Sequence, residues 1–98
     1  MTGEQMLSVL LGSEVRGDLL TLFHKNPGLI DTIEGVARRI GRTATAIEED
    51  IRELVQVGVL KEKKIGNAEA YSLDRKRDKQ ILDDVASHLN SFPARVAK

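Results

Sequence analysis

Residues 42–73, RTATAIEEDIRELVQVGVLKEKKIGNAEAYSL, change hydrophobic period midway, and that change decides the fold. Ile47, Ile51 and Leu54 recur at helical spacing and define one buried stripe, while Thr43 stands where a hydroxyl caps exposed amides. Gly58, just past the last periodic residues, allows the left-handed conformation that ends a helix. From Val59 onward the pattern is extended. Leu60 to Ile65 and Ala68 to Leu73 flank Gly66-Asn67, a pair that takes positive φ in a tight turn, and Tyr71 and Leu73 alternate with polar neighbours. A helix feeding a two-stranded β-hairpin is expected.

Working back toward the N-terminus, Asp31 and Glu34 have capping-box spacing, so a helix is expected to start near Asp31. Ile33, Val36, Ala37 and Ile40 give it a buried face, and Gly41 closes it just before Arg42 and Thr43 open the next helix. Two helices joined by so tight a turn form a helix-turn-helix. Before them Ser13 caps a helix whose stripe of Val15, Leu19, Leu20, Leu22 and Phe23 runs to Asn26-Pro27-Gly28. Gly17 inside that helix costs about 1 kcal/mol relative to alanine, which suggests close packing against another backbone. Met6, Leu7, Val9, Leu10 and Leu11 form a further short apolar segment ending at Gly12.

Beyond the hairpin, Asp74 caps a last helix that begins with Arg75, Lys76, Arg77 and Lys79 and continues with a stripe of Ile81, Leu82, Val85, Ala86 and Leu89. Phe92-Pro93 marks its end, leaving residues 93–98 as a flexible tail. The fold class is therefore mostly α with a small β-hairpin. A single domain is expected over residues 1–98, with a core over about 13–73 and flanking helices at 1–12 and 74–92. Because the three-helix unit and its hairpin already close a small core, Met6, Leu7, Leu10, Ile81, Leu82, Val85 and Leu89 are the candidates for a homodimer interface. The alternative is that the flanking helices pack back on their own subunit.

Composition removes several function classes. Fifteen basic and fifteen acidic residues cancel, so only local charge argues for a nucleic-acid partner. With no cysteine there are no disulfides and no thiolate metal sites. Phe23, Tyr71 and Phe92 are too few for the aromatic platforms that hold single strands. Neither a signal-peptide pattern nor a membrane-length apolar run occurs, so a cytoplasmic protein without a membrane partner is expected. His24 and His88 belong to no nucleophile constellation, and no phosphate loop or metalloprotease spacing is present. No enzymatic activity and no cofactor are expected.

The order helix, helix, tight turn, helix, hairpin resembles the winged helix-turn-helix domains of transcriptional regulators, best those of the arsenic-repressor-like (ArsR-like) and related archaeal-type families. The resemblance covers roughly Leu10 to Leu73. It is carried by Leu11-Gly12-Ser13-Glu14-Val15-Arg16, by Val36-Ala37-Arg38-Arg39-Ile40-Gly41, and by Leu54-Val55-Gln56-Val57-Gly58-Val59-Leu60. Ile65 to Leu73, with its glycine tip and returning tyrosine, is similar to the family's wing. The resemblance implies sequence-specific binding of duplex DNA by a homodimer, with the recognition helix in the major groove and the wings along the backbone.

By position, Thr45, Glu48, Glu49, Arg52 and Gln56 are then the candidates to read bases. A helical wheel independently places Thr45, Glu49, Arg52 and Gln56 opposite the buried stripe, with Glu48 beside them. Arg38, Arg39, Arg42, Thr43, Lys61, Lys63 and Lys64 are the candidates for phosphate contact. The chain departs from the family where Glu48, Glu49, Asp50 and Glu53 outnumber Arg42 and Arg52. An acidic recognition face favours the alternative of a winged-helix module that binds a protein partner. Some members of the family sense metals through the last helix, but Asp84 and His88 alone are only a fragment of a site, and no metal is expected.

Overall fold

The computed structural model describes residues 10 and 12–90. Met6, Leu7, most of the segment 1–12 and the tail 93–98 lie outside them. In chain order the elements are α1 (Glu14–Lys25), β1 (Ile30–Thr32), α2 (Ile33–Arg39), α3 (Ala44–Val57), β2 (Leu60–Ile65), β3 (Ala68–Leu73) and α4 (Arg75–Asn90).

Local chemistry sets most of these boundaries. The Ser13, Thr32 and Thr43 hydroxyls accept from the amides of Arg16, Gly35 and Ala46, satisfying one orphan donor at the start of α1, α2 and α3. Asp74 does the same for α4, accepting from the Arg77 amide at 3.1 Å. Gly41 (φ 70°) and Gly58 (φ 94°) end α2 and α3 in the left-handed conformation. At both ends the next amide reaches back to a helix carbonyl, Arg42 to Ala37 and Val59 to Leu54.

Two expectations need correction here. The cap of α2 is Thr32, not Asp31, and no capping box forms. The Asp31 carboxylate instead accepts from the Thr32 amide and from Arg39 Nε. Residues 30–32 are free to be extended because they pair antiparallel with β3, Ile30 opposite Ser72 and Thr32 opposite Ala70. The hairpin is thus part of a three-stranded sheet of order β1-β3-β2. That placement removes the expected alternation in β3. As the central strand it is flanked by β1 and β2 along both edges, and Ala70, Tyr71, Ser72 and Leu73 are all buried.

The core is formed where the stripes of α1 and α3 meet α2 and the sheet. Leu19, Phe23, Val36, Ile47, Ile51 and Leu54 are almost fully excluded from water, together with Val59 and Leu60. Burial of each such side chain contributes about 1.5–3 kcal/mol. The core also extends past the expected 13–73 limits. Leu10, Ile81 and Val85 are buried in the same cluster, so these three interface candidates are used by their own subunit. Leu82 (46% exposed) and Leu89 (49%) are left facing outward on α4. Gly17 does not sit against another backbone: a Cβ there would meet nothing within 4 Å.

Ion pairs brace the helices from outside the core. Asp50 of α3 accepts from Ser13 Oγ at 2.9 Å and from Arg16 Nε at 2.8 Å, tying α3 to the start of α1. His24 ties the end of α1 to the first turn of α4. Its Nδ1 lies 2.7 Å from the Leu20 carbonyl, and its Nε2 lies 2.9 Å and 3.0 Å from the two oxygens of the buried Asp78 carboxylate. Both ring nitrogens therefore face oxygen atoms of the chain.

Candidate nucleic-acid interface

α3 is placed by its stripe. With Ile47, Ile51 and Leu54 buried, Thr45, Glu48, Glu49, Arg52 and Gln56 are all exposed, as the helical wheel requires. Arg52 Nη2 lies 3.5 Å from Glu48 Oε2 one turn earlier, so two of the base-reading candidates are paired with each other at the surface. Asp50 is turned the other way, into its contact with α1, and adds nothing to the outer charge of the helix.

The phosphate candidates divide into two groups. Arg42 is half-buried, with Nη2 at 2.8 Å from Asp18 and 3.2 Å from Glu14, and the hydrogen bond to Asp18 raises its pKa further above its ordinary value. Arg39 is exposed but holds Asp31 at 3.0 Å. Burial pushes the Asp31 carboxyl up, but the hydrogen bonds from Arg39 and the Thr32 amide, with the nearby charges of Arg39 and Arg38, outweigh it and leave the pKa lowered. The Thr43 hydroxyl is occupied as the cap of α3. Arg38, Lys61, Lys63 and Lys64 are exposed, and among the described residues none of them forms an ion pair.

Register distributes the wing lysines over both faces of the sheet. Lys61 stands opposite Ser72 and Lys63 opposite Ala70, whereas Lys64 stands opposite Glu69. Because side chains alternate along a strand, Lys61 and Lys63 share the outer face, and Lys64 shares the face of Glu62, Glu69 and Tyr71. That second face is turned toward α3. Glu62, Glu69 and Tyr71 line a cavity of about 160 Å³ with Ile33, Glu48, Ile51, Arg52 and Val55. The Tyr71 hydroxyl donates to Glu62 Oε2 at 2.9 Å. Burial, with the adjacent Glu62 carboxylate, pushes the phenol up to about 12.

Sequence reasoning missed this acidic groove. Lysines dominate the sequence of the wing, but strand alternation together with the register of the hairpin places Glu62 and Glu69 on one face. Among the described residues no group of three or more metal-ligating side chains is arranged to hold an ion. No helix of those residues is long and apolar enough to cross a membrane.

No family model and no curated protein matches the chain by sequence. Solved structures do match by shape. A possible transcriptional regulator for arsenical resistance aligns at TM-score 0.66 and 24% identity, over 89% of this chain and 82% of that one. The antimony-specific transcriptional repressor AntR aligns at TM-score 0.60 and 18% identity, over 88% of this chain and 76% of its own. The homodimeric winged helix-turn-helix DNA-binding domain of Mb0332 from Mycobacterium bovis, a possible ArsR-family regulator, aligns at TM-score 0.63 and 14% identity, over 97% and 88%. At these identities the likeness is one of fold, and it coincides with the order of elements described above. The chain has the winged helix-turn-helix fold of the ArsR-like transcriptional regulators.

Proposed function

We propose that the chain is a cytoplasmic transcriptional regulator that binds duplex DNA sequence-specifically as a homodimer, with α3 in the major groove and the wing along the backbone. The observation that carries this reading is the exposed strip of Thr45, Glu49, Arg52 and Gln56 beside a hairpin whose lysines are not engaged internally. Such an arrangement separates base-reading from phosphate contact, as winged domains require. Glu48 and Glu49 accept hydrogen bonds from cytosine N4 and discriminate against other bases. Lys61, Lys63, Lys64 and Arg38 supply the phosphate contacts. Arg42, held by Asp18 and Glu14, supports the turn instead. For the dimer, Leu82 and Leu89 are the exposed apolar positions on α4.

Selection from random duplex DNA by the full chain tests the reading. A two-fold symmetric site is expected, and binding to it weakens steeply with salt. No enrichment at low salt would defeat the proposal and favour a protein partner. The observation that supports this second reading is the acidic groove of Glu48, Glu62 and Glu69, whose charge suits a basic segment of a protein. Reversing Glu48 and Glu49 would then abolish partner binding.

A further inference from the structure

We propose that the cleft between the outer face of the sheet and the start of α4 binds a small phosphate monoester. The open cleft has a volume of about 300 Å³, and its polar lining comes from Lys61, Ser72, Asp74, Arg75 and Lys76, with Gly28 also in its lining. Ser72 lies between Lys61 and Ile30 in the register, so its hydroxyl points to the outer face. Ser72 is only 8% exposed, and among the described residues its hydroxyl has no hydrogen-bond partner. Since no fully enclosed side-chain polar atom of those residues is unpaired, the Ser72 oxygen opens into the cleft. A hydroxyl left in that position is a ready donor to a ligand oxygen.

Charge selects the ligand class. Lys61, Arg75 and Lys76 line the cleft, and among the described residues none of them is paired with an acid. Asp74 is the one acidic group of the lining, and its Oδ1 is engaged by the Arg77 amide. The excess of positive charge matches a phosphate monoester, which carries roughly −1.5 to −2 at neutral pH, better than a single carboxylate. Arg75 adds a planar fork suited to phosphate oxygens. Its guanidinium lies near Gly28, with Nη2 3.9 Å from where a Cβ on that residue would stand. Lys61 and Ser72 lie on the face of the sheet opposite to Glu62, Glu69 and Tyr71, which look toward α3. The cleft therefore faces away from the surface proposed to read bases and shares only Lys61 with the proposed DNA phosphate contacts, and the inference does not depend on DNA binding.

The test follows backbone amide resonances of the full chain during titration with glycerol phosphate, inorganic phosphate, acetate and a DNA duplex. Saturable shifts at Gly28, Ser72, Arg75 and Lys76 are expected with glycerol phosphate, and much weaker ones with acetate. Ser72→Ala and Lys76→Gln should each weaken binding about tenfold. Lys76 is exposed, so its substitution leaves the fold intact, and Lys64→Gln on the other face should leave the affinity for glycerol phosphate unchanged. Equal shifts at every exposed lysine without saturation would overturn the proposal, as would equal affinity for acetate. Shifts in the cleft that appear only with the duplex would assign it to backbone phosphates and overturn it as well.

Discussion

The helical half of the molecule and the hairpin both carry basic side chains, but they use them differently. Arg16, Arg39 and Arg42 are each engaged by a carboxylate, at distances between 2.8 and 3.2 Å, and they hold α1, β1, α2 and α3 in register around the turn. Among the described residues Lys61, Lys63 and Lys64 form no ion pair and stand out from a strand on which only Leu60 is buried. An arginine near a recognition helix is thus not by itself a phosphate contact, because its partners on the same chain decide whether it is available. Among the described residues the wing lysines are all available, whereas beside the turn only Arg38 is, next to the braced Arg39 and Arg42.

If the helical half is the braced scaffold and the wing an open appendage, the two should differ most in what they contribute to stability. Leu54→Ala, at a fully buried position, should cost about 2–5 kcal/mol in chemical denaturation. Ile65→Ala, at the half-exposed wing tip, should change stability by less than about 0.5 kcal/mol in the same experiment. Comparable losses at both would erase the distinction. The His24 brace is next in size. His24→Ala leaves the buried Asp78 carboxylate without its side-chain partner and should cost about 1–3 kcal/mol, read as a lower thermal midpoint. Gly17→Ala should act in the opposite direction. It has room for a Cβ within α1, and a gain of about 0.5–1 kcal/mol is expected by the same denaturation assay.

The smallest effect should come from the partly exposed Asp31–Arg39 contact, and it sharpens the comparison through pH. The folded pKa of Asp31 lies below its ordinary value of 3.8, so the contribution is present above that value and is lost as pH falls through the folded pKa. Asp31→Asn should be less stable than the parent at neutral pH, and the two should converge in strong acid. A constant difference in midpoint across the acid range would show that the ion pair is not the cause.

Much of the scaffold was legible because local chemistry dictates it. Thr43, Gly41 and Gly58 bound their helices by capping and by positive φ, and the two hairpin strands begin and end where the period changes. β1 was not legible, since three residues next to a helix start carry too little pattern. Asp31 has the spacing of a cap, but Thr32 serves as one, and the pairing of residues 30–32 with β3 is a distant contact that local pattern does not carry. The candidate site was legible as a set of exposed positions on α3 but not as a charge distribution. Asp50 and Arg42 look like surface charges in the sequence and become internal braces only when α1 packs beside α3. Likewise the stripe on α4 shows which residues are apolar. It does not show that Ile81 and Val85 turn inward while Leu82 and Leu89 do not.

The most direct test of the account is the salt dependence of duplex binding for three proteins: the parent, Lys63→Gln with Lys64→Gln, and Arg42→Gln. If the wing supplies the phosphate contacts, the double variant should bind more weakly on every sequence, and the slope of log affinity against log salt should flatten by about 2. Arg42→Gln, once shown to be folded, should keep the parental slope. Equal slopes for the parent and the wing variant, or a flattened slope for Arg42→Gln, would contradict the division between braced and available cations.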